Sequence, residues 1–130
     1  MNALHKTQLT PLNYSQADCE VGIIHVGIGA FHRAHQAAYI NTLLGDSDQQ
    51  KWGIMGINLR TEDASIGHLL AEQKHTYTLK TLSPENHSTY QEIGSILSTI
   101  DWSQNADAAA EVVNNENVHL ITMTVTEGGY

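Results

Sequence analysis

The chain has little cysteine and few basic residues. Cys19 stands alone among 130 residues, which excludes an internal disulfide and favours a reducing, cytoplasmic setting. Acidic residues outnumber basic ones by 14 to 6, so the formal net charge is −8. Because no basic patch is present to neutralise phosphates, nucleic acid and anionic membranes are not expected as main partners. One small anionic cofactor is still compatible with this charge, since it needs only a local site.

Long apolar stretches are also lacking. No run approaches the roughly 20 residues that span a bilayer, and residues 1–16 are polar, without the hydrophobic core of a secretory signal. We therefore expect no membrane partner. Residues 1–19 are interpreted as an N-terminal leader that packs loosely or belongs to a neighbouring part of the protein.

The rest of the chain alternates between strand and helix patterns. An apolar run at 21–26 ends in a glycine turn, a helical pattern follows at 31–44, and a second strand pattern covers 52–58. This order is typical of a βαβ unit. The further expected elements are a helix at 62–73, strands at 75–82 and 89–96 joined by a turn at 83–86, a helix at 103–114 with Ser103 as N-cap, and a strand at 118–125.

The fold class that this order predicts is α/β. We expect a Rossmann-type, mainly parallel sheet with helices on both faces and an inserted β-hairpin. The domain is assigned to residues 20–130. It is expected to be incomplete, because a doubly wound sheet normally adds strands beyond a turn such as the one at residue 130.

The glycine turn is the first candidate site. Gly27 permits a tight turn, and Gly29, after Ile28, lets the backbone approach a pyrophosphate. The following helix offers free N–H groups and a partial positive charge, to which Arg33 adds. His32 stands where the third glycine of G-x-G-x-x-G falls, so the residues alone leave a purely structural turn open.

Acidic residues follow the second predicted strand, where the adenosine ribose of a dinucleotide usually meets a carboxylate. Glu62 and Asp63 would bind ribose hydroxyls and repel a 2′-phosphate, which favours NAD. Two alternatives stay open. The acids can instead stabilise the start of a helix, and Arg60 can contact a 2′-phosphate, as NADP would require.

Histidines crowd the region around the glycine turn. His25, His32 and His35 lie close in sequence, but no carboxylate joins them at a known ligand spacing. We therefore expect no metal, and we interpret these histidines as packing around the start of the helix.

The last strand and its end supply further candidates. Thr122, Thr124 and Thr126 alternate and so share one face, and Glu127 follows at the carboxyl end, where open α/β sheets bind ligands. Glu127 is interpreted either as an accessory proton relay facing the substrate or as a solvated loop acid.

Four segments carry a family resemblance. They are GIGAFHRAHQ at 27–36, the stretch 52–63, the stretch 93–96 and TVTEGGY at 124–130. Together, over about residues 20–130 and in the same order, they resemble the long-chain mannitol dehydrogenase family. In that family a Phe-x-Arg-Ala-His segment replaces the third glycine.

The resemblance implies a Rossmann-type domain followed by a larger, mainly helical substrate domain, with hydride transfer between NAD(P) and a polyol or sugar acid. It implies that Asp63, with Glu62 beside it, selects NAD, and that Glu127 lies near the active site. The cofactor-binding residues expected from sequence and resemblance together are Gly27, Ile28, Gly29, Ala30, Phe31, Arg33, Glu62, Asp63 and Thr124.

The family's catalytic lysine and its Asn and His companions have no matching segment here. The resemblance therefore implies that this chain holds the cofactor and that catalysis needs the second domain. We expect mannitol and fructose as the substrate pair, because fructuronate-reducing members more often carry lysine at the position of Gly128. Fructuronate or tagaturonate reduction, and a non-catalytic nucleotide-binding module, are the alternatives.

Overall fold

Within residues 9–60 and 63–125, which the computed structural model describes, the chain forms seven strands and four α-helices. In chain order the strands are β1 (Leu9–Thr10), β2 (Val21–Val26), β3 (Gly53–Asn58), β4 (Tyr77–Leu82), β5 (Ser88–Ile93), β6 (Ile96–Asp101) and β7 (Leu120–Met123). The helices are α1 (Ala30–Ala34), α2 (Gln36–Leu43), α3 (Ala64–Glu72) and α4 (Ala106–Val113), with short 3-10 helices at Gln16–Asp18 and Ser47–Trp52. In this part of the chain, no helix combines the length and apolar character needed to cross a membrane.

The main sheet is parallel throughout its four strands. Its order is β6-β3-β2-β7, so β2 lies inside and the chain adds strands first on one side of it and then on the other. That reversal creates a switch point at the carboxyl end of β2, where open α/β sheets bind ligands. The predicted parallel Rossmann-type sheet is confirmed.

Helices cover both faces of this sheet. Successive strand residues point to opposite faces, so Ile23 packs in one cluster with Ala37 of α2 and Leu70 of α3. Its neighbour Ile24 packs in a second cluster with Ala109 of α4. The apolar run of β2 is therefore buried from both sides, as a central parallel strand requires.

The predicted hairpin is a separate small sheet. β4 and β5 pair antiparallel from Tyr77 opposite Ile93 to Leu82 opposite Ser88, and β1 adds to β5 in parallel. The turn is closed by a hydrogen bond from the Ser83 N–H to the His87 carbonyl at 2.9 Å. Asn86 takes the left-handed conformation there, with φ 64°.

Two side chains of the segment 9–18 form hydrogen bonds with the rest of the fold. The Tyr14 hydroxyl donates to Asn41 Oδ1 at 2.6 Å, and the Gln16 amide donates to the carbonyls of His75 and Gly94 at 3.1 and 3.0 Å. This segment therefore ties the hairpin to α2. The division of the chain at residues 19 and 20 stays a prediction.

The helix expected at 31–44 is broken in two at His35, which has φ −120° and ψ −87°. In an unbroken helix the N–H of His35 would donate to the Phe31 carbonyl. Here the His35 ring Nδ1 bonds to that carbonyl at 2.8 Å, and the N–H donates to the His32 carbonyl instead. A side chain competing for a backbone carbonyl thus ends α1 after five residues.

Two expectations for the residues around β6 were wrong. The stretch 89–96 is not one strand, because the hairpin ends at Ile93 and the chain turns before β6 joins β3 in parallel. Ser103 is not an N-cap, since α4 begins at Ala106 after Asn105. The Ser103 hydroxyl donates to Asp101 Oδ1 at 2.7 Å instead.

Candidate functional site

A cleft of about 660 Å³ opens at the carboxyl ends of β2, β3 and β7. Its walls come from residues 26–29, 58–60 and 123–125, together with Asp63 and Ile66. These segments are distant in sequence, and they meet because parallel strands present their carboxyl ends at the same edge of the sheet. The cleft therefore lies at the switch point.

The glycine turn forms the floor of the cleft. Gly27 has φ +94°, a left-handed conformation that a residue with a side chain adopts only under strain. Its N–H donates to the Ile57 carbonyl at 2.9 Å, which fastens the turn to the end of β3. A Cβ placed on Gly29 would meet no atom of residues 9–60 or 63–125 within 4 Å, so with respect to these residues the backbone there borders open space.

Ile28 points the other way, into the sheet. It is 2% exposed and belongs to the cluster under α2 and α3. A Cβ on Gly56 would lie 2.5 Å from its Cδ1, so the glycine on β3 makes room for it. The buried isoleucine anchors the turn, and the backbone of residues 27–29 is left facing the cleft.

The start of α1 follows the turn. Ala30 is exposed as its first residue, and Phe31 is exposed beside a smaller neighbouring pocket of about 200 Å³. Arg33 does not line the cleft. Its Nε donates back to the Gly29 carbonyl at 3.3 Å, and its own carbonyl accepts from the Tyr77 hydroxyl at 2.6 Å.

The acidic side of the cleft is formed at the end of β3. Asp63 and Arg60 both line it and form an exposed ion pair, with Nε to Oδ2 at 2.9 Å. Asp63 occupies the N-cap position of α3, but its side chain caps no N–H group. Asp63, which favours NAD, and Arg60, which would favour NADP, are thus paired with each other. Glu62 lies outside the described residues.

Asn58 is a cleft residue that the sequence reasoning missed. It is 3% exposed, and its amide donates to the Asp63 carbonyl at 2.9 Å, which holds the start of α3 against β3. Its position as the last residue of a predicted strand was the available signal, because strand ends form the ligand edge of such sheets.

The opposite side of the cleft carries Thr124. Its hydroxyl lies 3.0 Å from His25 Nε2, and the Thr122 hydroxyl lies 2.7 Å from His25 Nδ1. Thr122 and Thr124 therefore share one face, as predicted, and contact the two ring nitrogens of His25. Thr126 and Glu127 lie outside the described residues.

His25 and His32 stack with their ring centroids 3.6 Å apart and an interplanar angle of 8°. Burial lowers the pKa of His25, and burial, then His25 and then Arg33, lowers the pKa of His32 to about 3. Both rings are therefore uncharged at neutral pH. Among the residues described, no group of three His, Cys, Asp or Glu side chains is placed to hold a metal ion.

The chain is similar to known dehydrogenases. The family model described as the mannitol dehydrogenase Rossmann domain matches residues 21–130. Mannitol 2-dehydrogenase of Phaeosphaeria nodorum is 36% identical over 133 residues, covering 100% of this chain and 23% of its own length. D-arabinitol 4-dehydrogenase of Klebsiella pneumoniae is 38% identical over 107 residues, covering 82% of this chain and 23% of its own length.

A solved structure is similar over the whole chain. The Pseudomonas fluorescens mannitol 2-dehydrogenase, in a ternary complex with NAD and D-mannitol, superposes with a TM-score of 0.89 at 33% identity. The match covers 100% of this chain and 27% of that protein. The chain thus spans about a quarter of the length of the relatives that it matches.

Proposed function

Because the chain belongs to the mannitol dehydrogenase family, we propose that it forms the NAD-binding part of a polyol dehydrogenase. The cleft at the switch point is the proposed cofactor site, with the pyrophosphate at the glycine turn and the adenosine toward Asp63. One observation carries this proposal: the glycine turn of residues 27–29 lines the same cleft as Asp63, which is distant from it in sequence.

The residues present fit a dinucleotide. The cleft volume of about 660 Å³ lies within the range of roughly 300–1,000 Å³ found for small-molecule sites. The open space beside Gly29 would admit a phosphate to the backbone, and a side chain at that position would fill it. The N–H groups at the start of α1 lie next to this space and suit an anion.

Each expected cofactor residue has a place in this proposal. The backbone of residues 27–30 would hold the pyrophosphate, with Phe31 beside it, and Arg33 would add positive charge from behind the turn. Glu62 and Asp63 would bind the adenosine ribose. Thr124 would contact the nicotinamide half, because β7 lies on the side of β2 opposite to β3.

NAD is favoured over NADP by the charge at the end of β3. A 2′-phosphate placed there would meet the Asp63 carboxylate, and Arg60 is already paired with that carboxylate at 2.9 Å. The exposed ion pair itself is worth at most about 1 kcal/mol. Asp63 is therefore the proposed discriminating residue.

Bound NAD would supply the hydride acceptor for oxidation of an alcohol. The residues of this chain would hold and orient it, and Glu127 is proposed as an accessory proton relay. Proton transfer to and from the substrate is assigned to the lysine, Asn and His of the second domain that the family resemblance implies.

Mannitol and fructose are the proposed substrate pair, and the similarity to D-arabinitol 4-dehydrogenase favours a pentitol as second candidate. A cytoplasmic location is proposed from the single cysteine.

Isothermal titration calorimetry, with NADH or NADPH added to the full-length protein that contains these residues, tests the proposal. NADH is expected to bind more tightly than NADPH. Gly29→Ala is expected to lower the affinity for NADH by at least about tenfold, which corresponds to roughly 1.4 kcal/mol of binding free energy. Gly67→Ala is the matched control, because its Cβ also meets no atom closer than 3.5 Å but lies outside the cleft wall. A folded protein that binds neither dinucleotide would overturn the proposal.

A further inference from the structure

A chain of polar side chains runs from α2 to the cleft. Gln36 Oε1 lies 3.1 Å from the Thr122 hydroxyl, which lies 2.7 Å from His25 Nδ1. His25 Nε2 lies 3.0 Å from the Thr124 hydroxyl, which borders the cleft. His25 is the residue of β2 that pairs with Thr122 on β7, so the central part of the chain is fixed by strand register.

The direction of each hydrogen bond in this row of side chains follows from the one at Gln36. Gln36 Oε1 is an amide carbonyl and only accepts, so the Thr122 hydroxyl donates to it. Thr122 has then used its one proton and accepts from His25 Nδ1–H. A neutral imidazole has a single N–H, so Nε2 carries no proton and accepts a hydrogen bond from the Thr124 hydroxyl.

The surroundings of His25 preserve this arrangement. The ring is 3% exposed, and the 1% exposed ring of His32 stacks on it. The ring therefore keeps one proton, because burial lowers the pKa of His25. A backbone hydrogen bond with Gly27 acts in the other direction and raises the pKa of His25, but burial is the larger cause.

We propose that Gln36, Thr122 and His25 are positioning residues that turn the Thr124 proton inward, so that the Thr124 oxygen faces the cleft as a hydrogen-bond acceptor. The site would then select a donor on the nicotinamide half of a dinucleotide, either the carboxamide N–H or a ribose hydroxyl. This selection of a donor rests on the proposed function, whereas the direction of the hydrogen bonds from Gln36 to Thr124 does not.

The tautomer of His25 tests the relay without any ligand. In the full chain with ¹⁵N-labelled histidine, long-range ¹H–¹⁵N correlation spectra at pH 7 should show a protonated Nδ1 and an unprotonated Nε2. The His25→Gln variant identifies the signals, or the shift caused by Thr122→Val does so if that variant does not fold. Thr122→Val should give a mixture of tautomers, and Thr78→Val, at an exposed hairpin position, should change nothing. A His25 protonated on Nε2 would overturn the proposal.

Ligand selection is tested by calorimetry with NAD and with its 3-acetylpyridine analogue, which replaces the amide NH₂ by a methyl group. Thr124→Val should weaken NAD about threefold to tenfold, Thr124→Ser should restore it, and Gln36→Leu should weaken it as well. An unchanged affinity of Thr124→Val for the analogue assigns the donor to the carboxamide, and an equal loss assigns it to the ribose. Unchanged binding of both ligands to Thr124→Val would refute the selection step. Absence of binding by the wild type would count against the proposed function and leave the tautomer result standing.

Discussion

Replacing His32 with leucine is expected to flatten the pH dependence of the free energy of unfolding. His32 is 1% exposed, both ring nitrogens are buried, and neither has a hydrogen-bond partner among the residues that the structure describes. Burial, the neighbouring His25 and Arg33 together lower its pKa from 6.5 to about 3. The folded protein therefore keeps this ring neutral at pH values where the unfolded chain protonates it.

The sign and size follow from proton linkage. Between pH 6.5 and about 3 the unfolded chain binds more protons at His32 than the folded protein, so stability falls as the pH falls. From pH 7 to pH 5 the loss is about 2 kcal/mol, because pH 5 lies about 1.5 units below the unfolded-state pKa of 6.5 and each such unit is worth about 1.4 kcal/mol. This is a substantial part of the roughly 5–15 kcal/mol that stabilises a typical domain.

Urea unfolding at several pH values, followed by circular dichroism, measures the effect. His32→Leu should lose about 2 kcal/mol less than the wild type between pH 7 and pH 5, and the remaining slope reports His25 and other groups. His87→Leu makes the same substitution at an exposed position in the hairpin turn and should keep the wild-type slope. Equal slopes for the wild type and His32→Leu would refute the assignment of a buried, neutral His32.

Three further substitutions have defined outcomes. Asp63→Ala should raise the affinity for NADPH relative to NADH, because the carboxylate that would repel a 2′-phosphate is removed; an unchanged ratio by calorimetry would remove Asp63 from this role. Ile28→Ala should cost about 2–5 kcal/mol in urea unfolding, as expected for a fully buried isoleucine; Leu82→Ala at an exposed position is the control, and a loss below about 1 kcal/mol would contradict the anchoring of the turn. Tyr77→Phe removes the bond to the Arg33 carbonyl and should cost about 0.5–1.5 kcal/mol; unchanged amide hydrogen exchange across residues 30–36 would show that this bond does not hold α1.

The parts of the fold that the sequence predicted have strong local signals. The run 21–26 is apolar on both faces and ends in a glycine turn, which is the pattern of a central parallel strand. The hairpin was predicted from the turn residues at 83–86, where Asn86 adopts the left-handed conformation that asparagine tolerates.

The parts that were missed depend on particular contacts, between two distant strands in one case and within one helical turn in the other. β6 is polar at half of its positions and is a strand because it pairs with β3. The break at His35 depends on its ring bonding to the Phe31 carbonyl, and the same residues in another setting would continue the helix. Such side-chain competition with the backbone leaves no periodic pattern in the sequence.

The candidate site was predicted in part for the same reason. Glycine spacing after a strand indicated Gly27 and Gly29, and the end of the second predicted strand together with the family resemblance indicated Asp63. The pairing of Asp63 with Arg60 and the clasp of Thr122 and Thr124 around His25 require three-dimensional neighbours. The roles of Glu62 and Glu127 stay predictions.

A crystal structure of the full chain with NAD tests the central claim most directly. The account predicts a pyrophosphate within hydrogen-bond distance of the backbone N–H groups of residues 28–30, with the adenosine ribose against Asp63. A dinucleotide bound elsewhere on the molecule, with the space beside Gly29 left to solvent, would contradict it.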